Sequence, residues 1–156
     1  MFERFLTGKT AVGTGSNSGI GLGVANELAR TGADLVLNSF TDRDEDHALA
    51  EKLARQHSVK VRYIKADMSS PEECRELIEK AGSCDILVNN AGINMKKEFI
   101  EVTDAEFENI LHTNLFSVFS ISREVVKKMK ETGGGSIVNI SSMAAQYGMP
   151  KVVAYS

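Results

Sequence analysis

Hydrophobic positions along this chain fall into short unbroken runs separated by longer stretches of helical period. Lys9–Thr14 is a brief apolar run and predicts a first strand. From Gly19 to Gly32, Ile20, Val24 and Leu28, with Ala25 and Ala29 beside them, recur at helical spacing, and Gly32 closes the segment. Ala33–Ser39 is a second apolar run. Residues 42–57 follow as an amphipathic helix with acids in its first turn, where the helix dipole favours them. Val59–Asp67 predicts a third strand, and a helix begins at Pro71 behind Ser69 and Ser70. Cys84–Gly92 gives a fourth strand and its loop. A capping pattern at Thr103 and Glu106 opens one long helix expected to reach about Lys130, roughly 40 Å at 1.5 Å per residue. Gly133–Gly135 stops it, and Ser136–Ser142 predicts a fifth strand.

Strands that alternate with helices require parallel pairing and right-handed crossovers. Their continuous apolar character predicts a sheet buried on both faces. The expected fold is therefore α/β, an open doubly wound parallel sheet in a single Rossmann-like, dinucleotide-binding domain. In such sheets ligands sit beyond the carboxyl ends of the strands, and here those ends carry the unusual residues.

Composition narrows the functions. With 156 residues, 42% hydrophobic and 25% charged, the chain fits one globular domain. A net charge of −3 leaves no basic footprint for nucleic acid, and no apolar run is long enough to cross a membrane. Cys74 and Cys84 form neither a disulfide framework nor a metal pair, so no metal is expected, and a cytoplasmic setting is the default. His47 and His57 read as solvated, His112 as packed or at the surface, and the acidic run Thr41–His47 as a solvated helix start.

The first strand runs into Gly13-Thr14-Gly15-Ser16-Asn17-Ser18-Gly19-Ile20-Gly21. The ordinary fingerprint G-x-G-x-x-G would need glycine at position 18, which is Ser18. A glycine-rich turn opening a helix straight after a strand still exposes backbone amides that favour anionic oxygens. Gly15 allows the turn, Gly19 and Gly21 remove side chains where a diphosphate approaches, and Ser16, Asn17 and Ser18 offer donors. Glycine at 13 weakens a strand by roughly 0.5–1 kcal/mol, so Gly13→Val is expected to stabilise the fold.

The spacing Thr14-Gly15-x-x-x-Gly19-Ile20-Gly21 resembles that of the short-chain dehydrogenase/reductase family. Asp67, the run Asn89-Asn90-Ala91-Gly92, Asn114, Ser142 and Tyr155 follow in the family's order. The resemblance implies hydride transfer between a nicotinamide coenzyme and a ketone or secondary alcohol. It implies Tyr155 as acid/base, Ser142 as carbonyl orienter and Asn114 as holder of a relay water. Gly15–Gly21, Asp67, Met68, Asn90, Ala91 and Gly92 would bind the coenzyme, and Asn94, Ser142 and Lys151 would meet substrate. The family's lysine four residues after the tyrosine would fall at position 159, beyond Ser156. The chain is accordingly expected to be the N-terminal part of a domain of about 250 residues, truncated after strand five and inactive alone, with a homotetrameric or homodimeric parent.

Ser18 stands before Gly19 where relatives using NADP often carry arginine, and Asn38-Ser39-Phe40 carries neither acid nor base, with Arg43 further on. NAD is the expected coenzyme, with NADP as the alternative. Within the family Gly32–Phe40, Val59–Ser69 and Asp85–Asn94 resemble the 3-hydroxybutyrate dehydrogenases, but Asn94 and Ala144 replace the glutamine and histidine that hold the substrate carboxylate there. A 3-oxoacyl thioester, a sugar, or a non-catalytic nucleotide-binding role are the alternatives.

Overall fold

The computed structural model describes residues 3–156. Five strands, β1 (Thr10–Gly13), β2 (Asp34–Ser39), β3 (Val61–Lys65), β4 (Ile86–Asn89) and β5 (Ser136–Asn139), pair in parallel in the order β3-β2-β1-β4-β5. Between them run α1 (Gly19–Arg30), α2 (Asp44–His57), α3 (Pro71–Ala81) and the pair α4 (Asp104–Leu111) and α5 (Ser117–Thr132). This is the doubly wound, Rossmann-like sheet expected, with its strand order reversing between β1 and β4.

Successive strand residues point to opposite faces, and the two faces bury different helices. Ala11, Leu35 and Leu37 pack with Ala25 and Ala29 of α1 and with Ala50 and Leu53 of α2. Val12, Val36 and Leu87 pack on the other face with Leu77 and Ile78 of α3 and with Ile121, Val125 and Met129 of α5. Each large side chain so buried contributes about 1.5–3 kcal/mol. The small alanines of α1 let that helix approach closely and so hold the loop before it against the strand ends.

Two expectations need correction. The sheet is buried on both faces only at β1, β2 and β4; β3 is half-buried and β5 is exposed throughout. These are the outer strands, and among the described residues no element lies beyond β5, leaving Val138 46% exposed. The long helix is also not uniform. His112–Phe116 forms a π-helical turn between α4 and α5, where the Ser117 hydroxyl donates to the Thr113 carbonyl at 2.6 Å and Asn114 is drawn toward the loop after β4. Such widened turns mark functional positions in many helices.

Gly13 lies in β1, opposite Leu37 and Val88, beside a cavity of about 10 Å³ that Val24, Ala25 and Leu28 also line. A Cβ there would stand 3.2 Å from Ser16 Cβ, so Ser16 must yield by a few tenths of an ångström. Gly13→Val is expected to raise the melting temperature, because it removes unfolded-state freedom worth about 0.4–1 kcal/mol and fills part of the void. A lowered melting temperature would show that Ser16 is held too firmly to yield.

Candidate nucleotide-binding cleft

The glycine loop is braced from both sides of β1. Asn38, wholly buried at the end of β2, accepts the Gly15 amide on Oδ1 at 3.3 Å, and its Nδ2 donates to the Ile64 and Ala66 carbonyls. Its backbone exchanges two more bonds with Ser16: the Ser16 amide donates to the Asn38 carbonyl, and the Ser16 hydroxyl accepts the Asn38 amide. From the β4 side, Asn90 Nδ2 donates to the Thr14 and Gly15 carbonyls at 3.1 and 2.9 Å. In return the buried Thr14 hydroxyl accepts the Asn90 and Ala91 amides, both at 3.0 Å. A Cβ at Gly21 would strike the Gly15 carbonyl and stand 2.5 Å from Asn90 Nδ2, and one at Gly15, where φ is +57°, would stand 2.9 Å from Ala91 Cα. Only glycine allows loop, helix and the β4 turn to close together at these two positions.

This bracing leaves a run of donors unspent. Among the described residues, the amides from Asn17 to Gly21 have no partner within the chain; the first amide beyond them, Leu22, donates to the Ser18 carbonyl. Ser18 occupies the cap position of α1 without bonding the helix through its side chain. The amides open the helix where its dipole is positive. Gly15, Asn17, Ser18, Gly19 and Ile20 form one wall of a cleft of about 500 Å³; Ser39, Phe40, Asp67 and Met68 form another, and Asn90–Ile93 with Asn109 and Thr113 complete it. Ile20 and Phe40, both about two-thirds exposed, and Met68 give it apolar surfaces. Its one carboxylate is Asp67, whose Oδ1 accepts the Ser69 amide and hydroxyl, each at 2.8 Å.

Several residues singled out in the sequence stand elsewhere or are engaged differently. Ser16 is buried, its hydroxyl donating to the Gly13 carbonyl and its amide to Asn38, so neither donor faces the cleft. Gly21 serves closure of the loop and does not line the cleft. The Asn17 amide group donates to Asp46 Oδ1 at 2.8 Å, although Asn17 lines the cleft. Asn114 exchanges two bonds of 2.8 Å with the backbone of Ile93, fixing the loop that carries Asn90–Gly92. Asn94 is exposed and accepts the neighbouring Met95 amide. Lys151 pairs with Glu98 at 2.8 Å, and its carbonyl accepts the Lys97 amide. Ser142 caps the turn Met143–Ala145 by accepting the Ala144 amide at 3.1 Å, which leaves its own proton available. Tyr155 is half-buried at the far end of the chain. Ser142 and Tyr155 lie outside the lining of the cleft, and no hydrogen bond among the described residues joins them to each other or to Asn114.

The acidic run is the helix start expected and is solvated at Asp42, Asp44 and Glu45, but not at Asp46. Asp46 is buried at 3% exposure and accepts from Asn17, from the Thr41 hydroxyl at 2.8 Å, and from the backbone, Nε and Nη2 of Arg43 at 3.2–3.3 Å. The Arg43 bonds first, then those from Asn17 and Thr41, hold the Asp46 carboxyl well below the ordinary carboxylate range against the opposing effect of burial. Sequence reasoning missed this residue and Asn38. The signal for Asp46 was its place at the third position of a helix behind Arg43, where a carboxylate can reach back to the cap.

A family model described as short chain dehydrogenase matches residues 9–156, and the chain belongs to that family. It is 38% identical over 151 residues to a D-beta-hydroxybutyrate dehydrogenase of Rhizobium meliloti (strain 1021), covering 94% of this chain and 58% of that protein. It is 35% identical over 150 residues to a 3-oxoacyl-(acyl-carrier-protein) reductase of Rickettsia conorii, covering 96% and 60%. A solved short chain dehydrogenase/reductase family protein superposes with a TM-score of 0.88 at 34% identity, over 96% of this chain and 62% of that one. The chain thus spans about three-fifths of the length of the relatives it matches.

Two outcomes test the cleft's construction. Gly21→Ala should destabilise the fold by about 1–3 kcal/mol in urea titration, because the collision is with backbone that cannot yield; an unchanged midpoint would mean the loop is loosely closed. Asp46 has a folded value below its unfolded value of 3.8, so its contribution is complete above about pH 5 and is lost as pH falls. The urea midpoint should therefore drop on acidification, with a shallower slope in Asp46→Asn; equal slopes would contradict the clamp.

Proposed function

We propose that this chain forms the coenzyme-binding part of a single-domain oxidoreductase that uses NAD. The observation that carries the reading is the run of unpartnered amides from Asn17 to Ile20 on the wall of a cleft with room for a nucleotide. The family uses nicotinamide coenzymes, and the residues present fit one. Amides at a helix start suit a diphosphate, and Gly15, Ser18, Gly19 and Ile20 would hold it. Asp67 and Met68 would meet the adenine, and Asn90, Ala91 and Gly92 the nicotinamide half. Among the described residues no cation lines the cleft, which favours a ribose without phosphate.

The coenzyme would supply or accept the hydride. Tyr155 would give the developing alkoxide its proton and Ser142 would hold the carbonyl oxygen, in a reduction written from alcohol and ketone chemistry. Asn114 would position a water through the loop it braces. The substrate is a small ketone or secondary alcohol, and the similarity to D-beta-hydroxybutyrate dehydrogenases supports a short 3-hydroxy acid met by Asn94, Ser142 and Lys151. The ion pair of Lys151 with Glu98 favours a second reading, an uncharged sugar or a 3-oxoacyl thioester, because it leaves that ammonium already neutralised. The intact protein would act in the cytoplasm as a homodimer or homotetramer.

Fluorescence titration of the chain with NADH and NADPH tests this reading. NADH should bind saturably and about tenfold or more tighter than NADPH, a difference of about 1.4 kcal/mol. Absence of binding by both would overturn it.

A further inference from the structure

Arg43 is the first basic residue after β2, on the loop that leads from the cleft wall at Ser39 and Phe40 into α2. An arginine there could swing toward a phosphate on the adenosine ribose, since such a phosphate is recognised by a basic partner. Its guanidinium is instead bound through Nε and Nη2 to Asp46. Asp46 is itself buried, its other partners being Asn17 of the glycine loop and Thr41. The Thr41 carbonyl in turn accepts the Tyr63 hydroxyl at 2.6 Å, which fixes the backbone just before Arg43. The same carboxylate therefore fastens the glycine loop to the loop after β2 and pairs with the first cation beyond the wall at Ser39 and Phe40.

We propose that Asp46 is a specificity-determining residue that selects against a 2′-phosphorylated coenzyme by sequestering Arg43. Resting on the dinucleotide reading above, this assigns the selectivity to a buried carboxylate that does not line the cleft. Freeing Arg43 would supply the cation that the lining lacks, while removing the Asp46 charge would lessen repulsion of an added phosphate. Charged neighbours on the same helix start, Asp42 paired with His47 at 2.7 Å and the exposed Asp44 and Glu45, remain in place and add to the discrimination.

The test is the ratio of NADPH to NADH affinity, read by fluorescence titration of the whole chain. Asp46→Asn keeps the side-chain shape and should shift the ratio toward NADPH by about tenfold, the worth of one charge-assisted contact. Asp46→Asn combined with Arg43→Ala should remove that gain. Arg43→Gln, at a largely exposed side chain, covers the case in which Asp46→Asn does not fold: it bares the Asp46 carboxylate, so NADPH should weaken by several-fold while NADH stays within about twofold. Equal changes for both nucleotides in Asp46→Asn, a gain that survives loss of Arg43, or unchanged NADPH binding in Arg43→Gln would each overturn the proposal. Failure of the unaltered chain to bind NADH would instead remove the dinucleotide reading itself.

Discussion

A loop at the end of β1 must turn sharply, keep its amides pointed outward and still pack against two strands and a helix. Everything else in the cleft depends on that compromise. The outward amides from Asn17 to Ile20 are costly to leave without a partner wherever water is excluded, so a structure that preserves them needs strong restraint elsewhere. The restraint comes from two asparagines and a threonine. Asn38 binds the loop to β2, while Thr14 and Asn90 bind each other's backbone across β1 and β4. Gly15 and Gly21 make the contact possible by having no side chain where backbone atoms of Ala91 and Gly15 lie.

From that brace the order spreads outward along the chain. Asn90 continues into Ala91–Ile93, whose backbone Asn114 grips from the π-helical turn, so the far wall of the cleft is set by the same network. Asn89 extends it to β5, donating to Asn139 at 2.9 Å and to Ser122 at 3.1 Å. The strand that leads to Ser142 is thereby aligned with the cleft end of the sheet. On the opposite side, Asn17 and Asp46 couple the glycine loop to the start of α2.

The fold was legible in the sequence because its signals are local and repeated: apolar runs, helical spacing, the Ser70-Pro71 start and the Thr103–Glu106 capping box all recur in the structure. The turn after β1 was legible where backbone geometry alone matters, at Gly15 and Gly19, both at positive φ. It was obscure where a polar side chain turns inward. Ser16 and Asn17 look like free donors in a glycine loop, and only the return of β2 and α2 shows what they bind. Asp46 lies in a run of acids, and burial of one charge among several is decided by tertiary contacts with Thr41 and Arg43. The π-helical turn was likewise hidden, since it answers to the pull of Ile93 on Asn114 and not to any break in the apolar period.

The direct test of the outward-facing loop is a two-dimensional NMR titration of the chain with NADH, following individual backbone amides. Large saturable shifts are expected at Asn17, Ser18, Gly19 and Ile20, with Ser16, whose amide is spent on Asn38, moving far less. Shifts confined to the surface around β5, or none in the glycine loop at saturating nucleotide, would contradict the outward-facing loop.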